Sequence, residues 1–227
     1  PTAYHLPPPM LIIYCHPSHE SHNGKILKKV TRTLGCHDIE FEVLDLYEMN
    51  FDPCLTEEEY GQMVNRSEKK IDPQIKKLQE KIAGANTLIF IYPTYWYSMP
   101  ARLKGFMDRI FTSRFAYRFF PVNRFMLFGA WTLSWIPGIR YLLQTRSVIP
   151  LLKGKKTLIF RTYGGPALGK RIFGNTQKVL ENNILRFCGI TDITVHELFN
   201  TDKKNIYTQE YEDSYLKKVE KICNRLK

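Results

Sequence analysis

Three loops of the sequence carry side chains that could hold a ligand. Each follows a short apolar run, and they span residues 16–23, 93–99 and 162–169. The first reads His-Pro-Ser-His-Glu-Ser-His-Asn and precedes a helical pattern. The N-terminus of a helix binds phosphate readily, because its backbone N–H groups are free and its dipole favours an anion. The side chains that could add donors there are His16, Ser21, His22 and Asn23. The loop lacks the GxGxxG pattern of dinucleotide-binding domains, so an ordinary capped helix start remains the alternative.

The second loop contains three consecutive aromatic residues, Tyr95, Trp96 and Tyr97, between Pro93 and Pro100. Aromatic side chains at a strand end can stack on a planar ring, and backbone amides of the loop can bond to the ring edge. Packing in the core is the alternative. A contiguous run cannot direct all three side chains into one core, so the pattern favours a ligand site.

The third loop is rich in glycine and allows a competing hypothesis. Gly164, four further residues, Gly169 and Lys170 follow an apolar run and match most of a phosphate-binding P-loop. Arg171 stands where that loop needs a magnesium-binding hydroxyl, and Pro166 lacks an N–H group that could contact phosphate. A P-loop nucleotidase is therefore a secondary hypothesis, and a flexible turn is a third.

The elements around these loops alternate regularly between strands and helices. Apolar runs predict strands at 10–15, 41–46, 87–92, 156–161 and 190–198. Helical spacing predicts helices at 24–34, 56–65, 75–85, 101–111, 176–187 and 208–226, with Pro100 at the first helical position of the fourth. Such alternation is typical of an α/β fold with a five-stranded parallel sheet and helices on both faces, in which ligands bind beyond the carboxyl ends of the strands.

Composition narrows the class of protein. The chain has 227 residues and is 44% hydrophobic, which predicts one domain over 1–227. Its five cysteines lie far apart and show neither CxxC nor His-paired spacing, so we expect no disulfide framework and no metal site. The longest apolar run, 125–139, contains Pro137 and is too short to cross a bilayer. We recognise no targeting signal in the sequence, so the expected location is the cytoplasm.

The net charge of +11 is concentrated in one segment. No acidic residue lies between Asp108 and Glu181, whereas 13 basic residues lie between Arg109 and Lys178. Within this segment, 112–153 is too long for an ordinary loop and is predicted to be an insertion. Basic and aromatic residues alternate over 119–150. This pattern suits a subunit interface, a pocket lid or peripheral membrane contact, and no nucleic-acid-binding module accompanies it.

Together the loops resemble one family, the flavodoxin-like NAD(P)H:quinone oxidoreductases of the DT-diaphorase type. The first loop is similar to that family's His-x-x-x-x-Ser-x-Asn element, and 45–53, Asp-Leu-Tyr-Glu-Met-Asn-Phe-Asp-Pro, to its signature after the second strand. The run 92–111 nearly reproduces the family's longest motif. Phe-Ala-Tyr at 115–117, Thr-x-Gly-Gly at 162–165 and Phe-Cys-Gly at 187–189 follow in the same order.

The resemblance implies a bound flavin, FAD or FMN, and ping-pong hydride transfer from NAD(P)H through the flavin to a quinone or similar acceptor. The residues that it implies for the phosphates are His16, Ser21, His22 and Asn23. Those implied for the isoalloxazine ring are Pro93, Thr94, Tyr95, Trp96 and Tyr97 on one side, and Thr162, Tyr163, Gly164 and Gly165 on the other. It also implies a homodimer. A flavin-binding ancillary subunit that acts on a membrane partner is the alternative.

Two departures from the family pattern affect these expectations. A Tyr and a His that assist hydride transfer in the mammalian-type enzymes correspond here to Lys170 and Thr176, so no catalytic acid or base is assigned. Glu20 replaces a hydroxyl residue that would contact phosphate. A carboxylate beside a pyrophosphate is unfavourable, and this favours FMN over FAD.

Overall fold

The structure, a computed structural model, describes residues 10–65, 71–119, 124–133, 135–136, 148–172, 178–202 and 208–226. The strands are β1 (Met10–Tyr14), β2 (Phe41–Asp45), β3 (Thr87–Pro93), β4 (Tyr117–Phe119), β5 (Val148–Pro150), β6 (Lys156–Thr162) and β7 (Asp192–Leu198). The helices are α1 (His22–Gly35), α2 (Glu57–Asn65), α3 (Pro73–Gly84), α4 (Ala101–Ile110), α5 (Arg124–Leu133), α6 (Ala167–Ile172), α7 (Val179–Leu185) and α8 (Gln209–Cys223).

Five parallel strands form the main sheet in the order β2-β1-β3-β6-β7. This confirms the predicted five-stranded sheet, and the order is that of flavodoxin-like doubly wound folds. The chain order reverses direction between β1 and β3, which is the point where such sheets bind ligands. The carboxyl ends of β1, β3 and β6 carry the three loops.

The sheet is covered on both faces, as the apolar strands predict. Successive residues of β1 enter opposite cores, because side chains alternate across a strand: Leu11 and Ile13 lie in one, Ile12 and Tyr14 in the other. Helices α3 and α4 pack on the first face, and α1 and α8 pack on the second. The result is a three-layer sandwich.

Three local details differ from the sequence prediction. Pro100 is the N-cap residue of α4, not its first helical residue. The third loop is shorter than predicted, because α6 starts at Ala167, directly after Pro166. Helix α7 is a π-helix that starts at Val179, and the first two residues of the predicted helix, 176 and 177, lie outside the described residues.

The predicted insertion contains regular structure in its described parts. Strands β4 and β5 form a separate antiparallel pair, and α5 lies between them in sequence. Among the helices in the described ranges, none is both long and apolar enough to cross a membrane.

Some basic residues of the segment 109–178 are buried and have partners inside the protein. Arg109 is buried and forms an ion pair with Glu59 at 2.7 Å. Arg161, buried in β6, pairs with Glu181 at 2.9 Å and with Glu197 at 2.8 Å. The buried ammonium of Lys155 donates to backbone carbonyl groups at the end of α3, and burial lowers its pKa. The excess charge on the surface of this segment is therefore smaller than the composition suggests.

Candidate functional site

A short hydrogen-bonded chain joins the three predicted loops. The Asn23 side chain, buried at the start of α1, donates from Nδ2 to Thr162 Oγ1 at 2.9 Å. The backbone carbonyl of Thr162 accepts from Thr94 N–H at 2.8 Å. These bonds connect the start of α1 to the carboxyl ends of β3 and β6. The Oδ1 atom of Asn23 is buried, yet no hydrogen-bond partner for it is found in the described part of the chain.

The first loop folds back on itself ahead of α1. Ser21 is the N-cap of α1, and its Oγ atom accepts from Gly24 N–H at 3.1 Å and donates to Ser18 O at 2.7 Å. The ring of His16 lies against Ser18, with Nδ1 3.0 Å from that residue's backbone nitrogen. Burial lowers the pKa of His16, so its ring is predominantly neutral near pH 7.

His22 points toward a different element. Its Nδ1 atom lies 3.1 Å from Oε1 of Glu212, a buried residue of α8. Lys25 binds the other carboxylate oxygen at 2.8 Å. Burial acts to raise the pKa of Glu212, but the hydrogen bonds from Lys25 and His22 outweigh it and hold the pKa below its ordinary value. Glu212 thereby ties the start of α1 to α8 at the edge of the first loop.

The aromatic run of the second loop forms a tight turn. Tyr95 and Ser98 exchange two backbone hydrogen bonds of 3.0 and 2.9 Å, and the residues between them have positive φ angles, 46° at Trp96 and 59° at Tyr97. This is the pattern of a type I′ turn, which usually requires Gly or Asn. Trp96 is 95% exposed as a result. Strain and apolar exposure at one place indicate a functional role, because both cost stability.

Tyr163 anchors the third loop. Its ring stacks on Phe199 with centroids 4.7 Å apart and planes 14° apart, and its hydroxyl donates to Glu197 Oε1 at 2.9 Å. Burial raises the pKa of Tyr163, and Arg161 opposes that shift. The phenol therefore stays protonated. Backbone bonds from the segment after β7 to Tyr163 and Gly165 fix the loop further.

The second and third loops enclose a cleft of about 440 Å³. The residues that line it are Thr94, Trp96, Tyr97, Tyr163, Gly164, Gly165, Pro166, Leu168, Gly169, Ile172 and Phe199. Its size and aromatic walls suit a planar organic molecule. The structure thus brings most of the predicted ring-binding residues to one cleft. Pro93 lies behind the cleft as the last residue of β3, and Tyr95 fixes the turn.

The third loop does not have the geometry of a phosphate cradle. A Cβ atom added at Gly164 would lie 2.7 Å from the carboxylate of Asp202, so a negative charge already occupies that side of the loop. This disfavours the P-loop hypothesis. The side chain of Lys170 and the whole of Thr176, the positions that correspond to the family's Tyr and His, lie outside what the structure describes.

Several site residues were not predicted. Phe199 and Glu197 belong to the carboxyl end of β7, and the prediction considered only the loops after three other strands. The strand-end rule could have included this one. Leu168 and Ile172 line the cleft because α6 starts early, and Pro166 before that helix was the available signal.

Comparison with known proteins assigns the family. Residues 9–222 match the model of a family described as having a flavodoxin-like fold. The uncharacterized NAD(P)H oxidoreductase YcaK of Escherichia coli K12 is 32% identical over 106 residues, which cover 47% of this chain and 54% of that protein. The human ribosyldihydronicotinamide dehydrogenase (quinone) is 32% identical over 200 residues, covering 79% of this chain and 76% of that one.

A solved structure agrees. The crystal structure of Smu.1420 from Streptococcus mutans UA159 superposes with a TM-score of 0.74 at 29% identity, and the match covers 95% of this chain and 98% of that one. The family match spans nearly all of the sequence and includes the three loops and the cleft. The chain therefore belongs to the flavodoxin-like fold family.

Proposed function

We propose that the protein is a flavin-dependent NAD(P)H oxidoreductase that passes a hydride from NAD(P)H through bound flavin to a quinone or a similar acceptor. The observation that carries this proposal is the cleft between the second and third loops, with aromatic side chains on its walls. Relatives named as NAD(P)H oxidoreductases and quinone dehydrogenases support the class of reaction.

The residues present fit a flavin. The buried Oδ1 of Asn23 lacks a donor within the described residues, and a polar edge of the cofactor would satisfy it. Trp96 and Tyr97 offer apolar surface that a ring system would cover. The flavin, when bound, supplies the hydride-accepting and hydride-donating chemistry.

The first loop is assigned to the cofactor's phosphate end. The N-terminus of α1 presents backbone N–H groups beyond the one that Ser21 caps, and the helix dipole favours an anion there. His16 stands beside this terminus and can donate one hydrogen bond from a neutral ring. His22 can contribute its Nε2 side while Glu212 holds Nδ1.

The second and third loops are assigned to the ring. The type I′ turn holds Trp96 and Tyr97 in place before any ligand arrives, and the stack of Tyr163 on Phe199 forms the opposite wall. Gly165 has open space where a Cβ atom would lie, so a ring can approach the backbone there, and its N–H group can stabilise negative charge on a reduced ring. Aromatic side chains on both sides would cover the two faces of the ring.

A ping-pong order follows if the donor and the acceptor use one place in turn. A cleft of about 440 Å³ is small for a flavin ring and two further rings at once, so we expect the nicotinamide to leave before the quinone enters. We assign no acid or base. Tyr163, an ionisable group in the cleft wall, donates a hydrogen bond to Glu197 and stays protonated.

The assembly proposed is a homodimer, and the α5 region supports it. Phe125, Phe128, Trp131 and Trp135 are exposed along this region, and such apolar surfaces mark interfaces. The alternative is a flavin-binding ancillary subunit at a membrane. The same exposed aromatic residues support it, together with the absence of acidic residues from 109 to 178.

The test begins with the purified protein. We expect it to be yellow, and we expect its visible flavin absorbance to bleach on NADPH addition under argon and to return on addition of a quinone. Release of the cofactor and chromatography would distinguish FMN from FAD. A colourless preparation that neither FMN nor FAD reconstitutes would overturn the proposal. Normal flavin content without quinone turnover would favour the ancillary-subunit alternative.

A further inference from the structure

Three potential metal ligands converge outside the cleft, at the carboxyl ends of β1 and β2. His19 belongs to the first loop, Asp45 ends β2, and Glu48 follows in the turn after it. His19 Nε2 lies 2.8 Å from Asp45 Oδ2 and 3.2 Å from Glu48 Oε1. One ligand atom from each residue lies within 4.8 Å of the other two.

These separations match ligands that share one ion. Two atoms that each lie about 2.1 Å from a metal are about 3 Å apart when their bonds are at right angles. Both distances from the imidazole nitrogen are close to that value. A compact group of one nitrogen and two carboxylate oxygens can therefore occupy one face of a coordination shell.

A second observation points to a missing ligand. Asp45 is only 6% exposed, and within the described residues its buried Oδ2 atom accepts no hydrogen bond. Its close neighbour is His19 Nε2 at 2.8 Å, which neutralises the carboxylate only when the imidazole carries a proton. A buried carboxylate needs a positive partner, and a cation held by both side chains would supply one.

The surrounding structure holds Asp45 in place. Its other oxygen, Oδ1, accepts the backbone N–H groups of Tyr47 at 2.8 Å and Glu48 at 3.1 Å. The carboxylate cannot rotate without losing both bonds, so Oδ2 stays directed at the cluster. Such outer bonds are typical of metal-binding carboxylates.

His19 is held equally well. Its ring lies against Tyr14, with centroids 5.2 Å apart. Its backbone carbonyl packs so closely on α1 that a Cβ atom added at Gly24 would lie 1.8 Å from the carbonyl oxygen. Glycine at position 24 is thus required for the loop to sit where it presents His19 to Asp45.

We propose that His19 Nε2, Asp45 Oδ2 and Glu48 Oε1 bind a divalent transition-metal ion. Imidazole nitrogen favours ions such as Zn²⁺ or Ni²⁺ over Mg²⁺ and Ca²⁺, which prefer oxygen ligands throughout. The half-exposed position of His19 and the exposed position of Glu48 leave the outer coordination positions to water or to a further ligand. Cysteine spacing did not predict this site, because its ligands come from two loops and include no thiol.

The test is calorimetric titration of the purified, flavin-loaded protein with Zn²⁺, and separately with Mg²⁺. We expect one Zn²⁺ per chain, much weaker Mg²⁺ binding, and a rise in unfolding temperature with Zn²⁺. Glu48→Gln removes a ligand at an exposed position and should fold normally. It should weaken Zn²⁺ binding by at least about tenfold, the loss seen for even an outer partner of a ligand.

Matched variants separate this site from adventitious binding. Asp45→Asn keeps an oxygen for the backbone bonds and should also weaken Zn²⁺ binding. Glu57→Gln removes an exposed carboxylate of α2 outside the cluster and should leave the affinity for Zn²⁺ unchanged. Equal affinities in Glu48→Gln and Glu57→Gln, or no saturable binding in the unaltered protein, would overturn the proposal. The readouts are heat and unfolding temperature, so they do not depend on the proposed oxidoreductase activity.

Discussion

Large aromatic side chains are exposed in two regions of the molecule, and the backbone structure that carries them differs between the two. Trp96 and Tyr97 stand on a strained turn that two backbone hydrogen bonds close, beside a cleft. Phe125 and Phe128 stand three residues apart on an ordinary helix, α5, and line no part of that cleft. A strained support fixes a few side chains for a small ligand. An apolar helix with several exposed rings presents a broad surface that suits a macromolecule or a bilayer.

The largest effect is expected from α5. The double variant Phe125→Ser with Phe128→Ser should weaken self-association by about 100-fold, because burying each ring contributes about 1.5 kcal/mol or more. Sedimentation velocity would show a monomer, while bound flavin per chain stays unchanged. Tyr60→Ser, at an exposed aromatic of α2, is the control. Flotation with anionic vesicles tests the other possibility: an intact dimer that has lost flotation would support membrane contact instead. If the double variant behaves like Tyr60→Ser in both experiments, the α5 surface has neither role.

Asn23 tests the connection between the loops in the cleft region. Asn23→Leu removes the donor to Thr162 Oγ1 and should lower the free energy of unfolding by about 1–3 kcal/mol, with loss of flavin affinity. Chemical denaturation and flavin fluorescence titration measure the two effects. Asn182→Leu, at an exposed position of α7, serves as the control. Unchanged flavin affinity in Asn23→Leu would remove this residue from the proposed site.

Trp96 distinguishes a ligand wall from a patch of exposed surface. Trp96→Ala should lower kcat/KM for a quinone by about fivefold, because an aromatic contact contributes about 1 kcal/mol, and Trp96→Phe should restore most of it. Stability should hardly change, since the side chain is almost fully exposed. Steady-state kinetics and sedimentation velocity measure the two properties. A loss of quinone turnover with unaltered self-association would show that Trp96 serves the cleft, unlike the aromatics of α5. Equal turnover in the unaltered protein and both variants would show that Trp96 contacts no ligand.

The backbone strain in the turn at Trp96 and Tyr97 can be measured through the free energy of unfolding. Tyr97→Gly should raise the free energy of unfolding by up to about 1 kcal/mol, since glycine accepts positive φ without steric cost, while quinone turnover falls. Ser98→Gly, outside the positive-φ pair, should not stabilise. Thermal unfolding of both variants is the measurement. A loss of stability in Tyr97→Gly equal to that in Ser98→Gly would show that no strain is stored.

The smallest effect concerns acid stability. Lys25 and His22 hold the pKa of Glu212 below its ordinary value of 4.5 despite burial, so its contribution to stability is complete above that pH and is lost as the pH falls through the lower folded-state value. Glu212→Gln should therefore flatten the fall in unfolding temperature below about pH 4.5. Glu210→Gln, on the exposed face of α8, should retain the steeper fall.

Strand positions were predictable because parallel strands buried on both faces must be apolar throughout. Met10–Tyr14 and Thr87–Pro93 are buried at every position, and their runs are plain in the sequence. The three loops followed from the strand ends and the motifs. Helix boundaries were less accurate: Pro100 fits both the N-cap and the next position, and only the structure decides between them.

The parts of the site that were missed depend on contacts between distant segments. Nothing near Tyr163 in sequence indicates that Phe199 will stack on its ring or that Glu197 will accept a hydrogen bond from its hydroxyl. Arg161 was only one of the 13 basic residues between Arg109 and Lys178 in the sequence, and nothing nearby indicated that its partners would come from α7 and β7. Such pairings follow from tertiary packing, which local pattern does not encode.

The bond between His22 and Glu212 joins residues 190 positions apart. The first loop is synthesised well before α8, which buries its apolar side against α1. A growing chain can therefore form β1 and α1 before the residue that positions the start of that helix is present. We expect capture of a cofactor by the first loop to follow the synthesis of α8.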